Sequence, residues 1–200
     1  MRVVGGAWRG RRLTAPAGRA TRPTSDLVRE AIFDVLAPLL AAATPPATPP
    51  HDPGAGPLGG LIVLDLFAGS GALGIEALSR GAAASTFVER APAAIRVLRA
   101  NLARVGAPAD AVHVRPADYR RALKADAAGA KRYNLVLVDA PYALYPAVEL
   151  ELAGRLPAVL APGALVVVET ARGQAVSLLL AERSVKLYGD TRVTFLQARS

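Results

Sequence analysis

Residues Leu61 to Gly74 read LIVLDLFAGSGALG, and the fold follows from how that stretch divides. Leu61-Ile62-Val63-Leu64 is an apolar run that ends at Asp65. Leu66-Phe67 comes next, then the glycine loop Ala68-Gly69-Ser70-Gly71, and Leu73 to Leu78 favours helix. A buried strand, a tight turn and a helix in that order form the nucleotide-binding unit of α/β proteins. Gly69 and Gly71 permit positive φ and leave no Cβ between the chain and a ligand. The amides of the loop and of the first helical turn point beyond the strand end. Gly69, Gly71 and Gly74 also satisfy G-x-G-x-x-G, a pattern that alone has little specificity.

Downstream, strands and helices alternate. Strands are predicted at Ser85–Glu89, Ala111–Val114, Asn134–Val138 and Ala164–Glu169. Helices are predicted at Ala93–Val105, Tyr119–Lys124, Val148–Leu160 and Gln174–Ala181. Val185–Tyr188 and Arg192–Gln197, around Gly189-Asp190, read as a closing hairpin. The pattern implies an α/β fold with a doubly wound, mostly parallel seven-stranded sheet and an antiparallel edge.

In such sheets ligands bind outside the carboxyl ends of the strands. Four strand ends carry an acid: Asp65, Glu89, Asp118 and Asp139. Glu89 is placed to accept from both hydroxyls of a ribose, Asp118 to meet an adenine amino group, and Asp65 an ammonium or its water. An acid-lined floor suits S-adenosylmethionine, whose sulfur is cationic, better than the pyrophosphate of a dinucleotide. The candidate cofactor residues are Asp65, Phe67, Ala68, Gly69, Ser70, Gly71, Glu89, Arg90 and Asp118.

The chain has 200 residues, 52% of them hydrophobic, which suits one domain with a sizeable core. It has no cysteine and only two histidines, which excludes disulfides and thiolate sites and argues against a metal centre. With no secretory or membrane-spanning signal in the sequence, a cytoplasmic monomer with no membrane association is expected. The net charge is +8, and every cation but Lys124, Lys131 and Lys186 is arginine. Such a surplus favours a polyanionic partner. Arg2, Arg9, Arg11, Arg12, Arg19 and Arg22 crowd the first 23 residues without a single acid. Val3-Val4, Gly5-Gly6 and Leu13-Thr14 suggest a short hairpin carrying Trp8; arginines beside an aromatic suit phosphate contact and base stacking. A helix should follow, capped by Thr24 or Ser25, with Leu27, Val28, Ala31, Ile32, Val35, Leu36 and Leu39 on its apolar face. Three units result: a basic hairpin and helix over 1–40, a Pro/Gly-rich connector over 41–60, and the α/β domain over 61–200. His51, inside the connector, reads as incidental.

Asp65-Leu66-Phe67-Ala68-Gly69-Ser70-Gly71 with Glu89 resembles motifs I and II of the class I, Rossmann-like S-adenosylmethionine-dependent methyltransferases. Asp139-Ala140-Pro141-Tyr142 is similar to the D/N-P-P-Y/F signature of those that methylate exocyclic amino nitrogens. The N-terminal Arg2-Val3-Val4-Gly5-Gly6 with Trp8-Arg9-Gly10-Arg11, the Thr21–Asp26 block with Val28-Arg29-Glu30, and Tyr188-Gly189-Asp190-Thr191-Arg192 are more specific. Together they resemble the bacterial small-subunit ribosomal RNA guanine-N2 methyltransferases of the D type. The resemblance implies that Asp139, Ala140, Pro141 and Tyr142 carry catalysis and that Arg2, Trp8, Arg9, Arg11, Arg12 and Arg22 contact RNA. Small-subunit ribosomal RNA, naked or in an assembling 30S particle, would be the partner. Two departures stand out: alanine at 140 where the family has proline, which frees φ, and Leu27 where it has arginine. The rival readings are an adenine-N6 methyltransferase, a nicotinamide-dependent oxidoreductase built on the same glycine pattern, and an RNA-binding module without catalysis. A DNA enzyme would need a recognition domain for which this chain has no room.

Overall fold

The computed structural model describes residues 1–16, 25–43 and 56–199. The strands are β1 (Ile62–Leu66), β2 (Ala84–Glu89), β3 (Val112–Pro116), β4 (Tyr133–Val138), β5 (Leu160–Ala171), β6 (Ala181–Tyr188) and β7 (Thr191–Gln197). They form one sheet in the order β3-β2-β1-β4-β5-β7-β6. The first five strands run parallel; β7 is antiparallel to β5 and β6 to β7. From β1 the chain winds outward to β2 and β3, then returns to β4 on β1's other side. The β1/β4 junction is therefore the topological switch point, where doubly wound sheets open a crevice.

Alternation along the buried strands gives the sheet two apolar faces. Val63, Phe87, Leu135, Leu137, Leu165 and Val167 share one buried cluster with residues of helices α1 (Asp26–Ala43), α2 (Ala72–Ser79) and α3 (Pro92–Arg104). Leu64, Leu66, Val88, Val136, Val138, Val166 and Val168 share the other with residues of α4 (Tyr119–Ala128) and α5 (Tyr145–Arg155). Ser25 caps α1, its Oγ accepting from the Val28 amide at 3.2 Å. Thr24, the other capping candidate, lies outside the described residues, as do Arg19, Arg22 and His51.

The N-terminal segment forms a strap with less ladder than a hairpin. Arg2 and Arg12 make a single antiparallel bridge, and Gly6–Trp8 is a 3-10 turn. Val3 and Leu13 are buried in the α1/α2/α3 cluster, so the strap shares the core of that sheet face. Its backbone is fastened to α2: the Val4 amide donates to Glu76 Oε2 at 2.9 Å, the Trp8 amide to Ser79 Oγ at 2.9 Å, and Ser79 Oγ donates to the Gly5 carbonyl at 2.6 Å. Gly6 has φ +73, and a Cβ there would fall 1.8 Å from the Ser79 carbonyl oxygen, so only glycine permits this approach. Glu76, fully buried, also receives Arg80 Nε at 2.9 Å and faces Arg29 Nε at 3.7 Å. Two cations and a backbone amide make that buried charge tolerable.

The helix predicted over Gln174–Ala181 does not form. Residues 174–180 are irregular and β6 begins at Ala181. Leu178 is buried while Leu179 is 96% exposed, the alternation of extended chain. Among the described residues, no helix is long and apolar enough to cross a membrane.

Candidate active site

Asp65 lies inside β1, with Phe87 and Leu137 as its partners on either side. Its carboxyl is buried, and Oδ2 accepts from the Gly74 amide in the first turn of α2 at 2.9 Å. Burial pushes this carboxyl up to about 7; the Gly74 bond opposes the rise and the nearby Glu89 charge adds to it. The chain then turns sharply. Phe67 has φ +63, a left-handed conformation that costs a non-glycine residue about 1 kcal/mol. Gly69 and Gly71 follow at φ +55 and +80, and Gly71 donates to the Ala68 carbonyl at 2.7 Å. A Cβ on Gly71 would lie 2.2 Å from Leu98 Cδ1.

Glu89, at the end of β2, has its carboxylate between the glycine loop and the start of α3. Oε2 accepts from the Gly69 amide at 2.9 Å, and Oε1 accepts from the Arg90 and Ala91 amides at 2.8 Å each. Three backbone donors fix its direction; a carboxylate offers about four acceptor positions, which leaves capacity for a ligand hydroxyl. Asp118, past β3, caps α4: Oδ1 accepts from the Arg120 amide at 3.0 Å and from Arg120 Nε at 2.9 Å. That guanidinium holds the carboxyl below its ordinary range. The Arg90 guanidinium lies 3.9 Å from the same carboxylate. Tyr119, which the sequence reading did not single out, tilts its ring against Phe67 with centroids 4.9 Å apart. Its position directly after Asp118 was the available signal. Acids at the ends of β2 and β3, an aromatic pair and an open glycine turn suit the ribose and adenine of S-adenosylmethionine. A Cβ on Gly69 would meet only the Phe67 carbonyl oxygen, at 3.8 Å.

Asp139 follows β4 at the switch point, since Val138 pairs with Leu66 just before Phe67. Ala140 is buried in the same cluster as Val138 and Tyr145. The Pro141 carbonyl accepts from the Leu144 amide at 2.8 Å, closing the 3-10 turn Tyr142–Leu144. Tyr142 is fixed at its far end: the hydroxyl donates to Glu169 Oε1 at 3.1 Å and lies 2.9 Å from Thr191 Oγ1. Burial pushes this phenol up to about 12, and the Glu169 and Asp139 charges add to the rise. It therefore stays a neutral donor at physiological pH. Glu169, at the end of β5, was not singled out from sequence. Thr191 was, but only as part of a terminal motif; here the first residue of β7 reaches the site.

Of the strap residues, Arg2, Arg9, Arg11 and Arg12 are exposed, and Trp8 is half-buried against the core. The Arg11 guanidinium donates to the Val105 carbonyl. Asn101, fully buried on α3, joins the strap to the glycine loop. Its Oδ1 accepts from the Thr14 amide and its Nδ2 donates to the Thr14 and Ser70 carbonyls, all at 2.9 Å.

The family described as conserved hypothetical protein 95 matches residues 1–197. The provisionally named rRNA methyltransferase YlbH of Bacillus subtilis (strain 168) is 41% identical over 142 residues, 71% of this chain and 67% of that protein. Ribosomal RNA small subunit methyltransferase D of Escherichia coli (strain K12) is 44% identical over 103 residues, 52% of this chain. That match spans 43% of the Escherichia coli protein, under half its length. Among solved structures, a hypothetical protein of Thermus thermophilus superposes with a TM-score of 0.78 at 28% identity, covering 99% of both chains.

Proposed function

We propose that this chain, which belongs to the conserved hypothetical protein 95 family, is a methyltransferase that uses S-adenosylmethionine to methylate the exocyclic N2 of a guanine in small-subunit ribosomal RNA. One observation carries the reading. The Asp139–Tyr142 segment leaves β4 beside the glycine loop that leaves β1, at the switch point of the sheet. The names of the Bacillus and Escherichia relatives support the choice of ribosomal RNA.

The cofactor supplies a methyl group activated by the positive charge on sulfur. Glu89 would take the ribose hydroxyls, and Phe67, Tyr119 and Asp118 would border the adenine. The Gly69–Gly71 turn would pass the amino-acid end, with Asp65 behind it. A guanine amino group is a poor nucleophile because its lone pair is delocalised into the ring. The Asp139 carboxylate and the Ala140 carbonyl would accept from its two hydrogens, favouring a pyramidal nitrogen. Tyr142, held at its hydroxyl by Glu169 and Thr191, would bear on the base plane and keep it aligned. Positioning and electrostatics supply most of the effect in such a site. The proton leaves to Asp139 or to water. The target base has to leave its stack, and the strap arginines would hold the flanking phosphates.

The experiment is transfer of labelled methyl to ribosomal RNA and particles from cells lacking this protein, followed by nucleoside analysis. Label in N2-methylguanosine at one site, lost in Asp139→Ala while cofactor binding persists, is the expected result. Label in adenine would replace the guanine reading, and full turnover in Asp139→Ala would remove that carboxylate from the mechanism.

A further inference from the structure

We propose that the solvent face of α3 is a second RNA-backbone contact, continuous with the strap, which grips the phosphates flanking the target base. The inference rests on the reading of this protein as an RNA enzyme and extends it to a surface that the N-terminal arginines do not include.

Helix α3 reads PAAIRVLRANLAR and contains no acid. Ala94, Ile95, Leu98, Asn101 and Leu102 turn inward, leaving Arg96, Arg99 and Arg104 outward with the short side chains of Ala100 and Ala103 between them. A helix face that merely keeps a protein soluble interleaves both signs and forms i,i+4 pairs. Elsewhere in this chain helix arginines do so, Arg80 with Glu76 and Arg155 with Glu151, and Arg115 and Arg120 find acids at other spacings, Asp126 and Asp118. Among the described residues neither Arg96 nor Arg99 has a carboxylate partner. Two unpaired guanidiniums one turn apart are free to take phosphate oxygens bidentately.

The face is joined to the strap at one end and to the candidate site at the other. Arg104 Nη1 donates to Thr14 Oγ1 at 2.8 Å, and Asn101 brackets the Thr14 backbone. At its start Pro92 follows Glu89, Arg90 and Ala91 at the strand-end face. Thirteen residues of helix span about 18 Å, enough to follow a nucleic-acid strand away from the site. The surface offers no exposed large apolar side chain: among the described residues those are Leu27, Leu144, Leu150, Leu179 and Leu187, none on α3. A protein partner would be expected to seek an apolar centre, so the charge favours a polyphosphate backbone.

The test compares the full chain with Arg96→Gln/Arg99→Gln and Arg96→Lys/Arg99→Lys, measuring the affinity of a ribosomal RNA fragment across a salt series and of S-adenosylhomocysteine by calorimetry. The Gln pair should weaken RNA binding by roughly tenfold or more at 0.1 M salt and flatten the log–log salt slope by about 1.4–1.8. S-adenosylhomocysteine affinity should not change, and the Lys pair should restore most of the slope. Unchanged RNA affinity and slope in the Gln pair, with salt-dependent binding by the natural sequence, would overturn the α3 contact and leave the RNA reading standing. A natural sequence with no salt-dependent RNA binding would overturn both. A Gln pair that keeps its RNA affinity but loses association with ribosomal particles would assign α3 to a protein partner instead.

Discussion

Asp65→Asn should make the chain more stable relative to the natural sequence as pH rises, because the natural carboxyl is buried without a cation. Asp65 is 1% exposed, and burial raises its carboxyl from 3.8 to about 7. A difference of about three units, at about 1.4 kcal/mol each, bounds the effect at about 4 kcal/mol. The sign follows from the proton count. Between pH about 4 and about 7 the folded chain keeps a proton that the unfolded chain has released, so stability falls as pH rises through that window. Below it both states are protonated and the difference vanishes; above it the full loss persists. Asparagine is neutral throughout and retains an oxygen for the Gly74 amide. Urea unfolding of both proteins at about pH 4.5 and about pH 8 measures the effect, and subtracting one profile from the other removes the contribution of every group the two chains share. The variant should gain about 2–4 kcal/mol over the natural chain between the two conditions. Parallel profiles would show that Asp65 ionises inside the fold at little cost, and would refute the argument.

Two further substitutions probe what holds the site in place. Asn101→Leu leaves the Thr14 amide and the Thr14 and Ser70 carbonyls without their partner, and should cost about 2–4 kcal/mol in chemical unfolding; a loss under about 0.5 kcal/mol would show that water replaces the amide. Thr191→Val removes one anchor of the Tyr142 hydroxyl and should lower kcat several-fold with cofactor Kd unchanged, while Thr191→Ser restores kcat; equal activity of Val and Ser variants would make the contact incidental.

The sheet was legible because its signals are local. Leu61–Leu64, between Gly60 and Asp65, and Leu135–Val138, between Asn134 and Asp139, are short apolar runs with marked ends, and Gly69 and Gly71 mark a turn at positive φ. The segment Gln174–Ala181, expected as helix and found without one, had no such signal. Val176 and Leu178–Leu180 form an apolar run with no period, which a buried helix and an extended chain share; the Thr170 Oγ1 bond to the Gln174 carbonyl, four residues on, helps hold it in its irregular path. At the site, sequence placed the acids at strand ends but not their neighbours. Asp118 read as an adenine partner; its carboxylate also accepts from the amide and guanidinium of Arg120, because an aspartate directly before a helix caps its first turn. Glu169 and Thr191 reach Tyr142 from 27 and 49 residues away, a relation set by the order of β5 and β7 in the sheet and written in no local pattern.

The strap has a consequence for the birth of the chain. Its anchors at Ser79, Glu76 and Asn101 lie 71, 72 and 87 residues beyond the strap residues that use them. At about 5–20 residues per second of synthesis, Thr14 waits roughly 4–17 s for Asn101 to be made. During that interval the strap backbone lacks its anchors on α2 and α3, and Val3 and Leu13 lack most of the core that buries them. A segment with so much charge and so little grease endures that wait without sticking to itself. The strap can close over α2 and α3 only when they exist, and its anchors are among the long-range contacts of the fold, whose loop-closure entropy folding must meet.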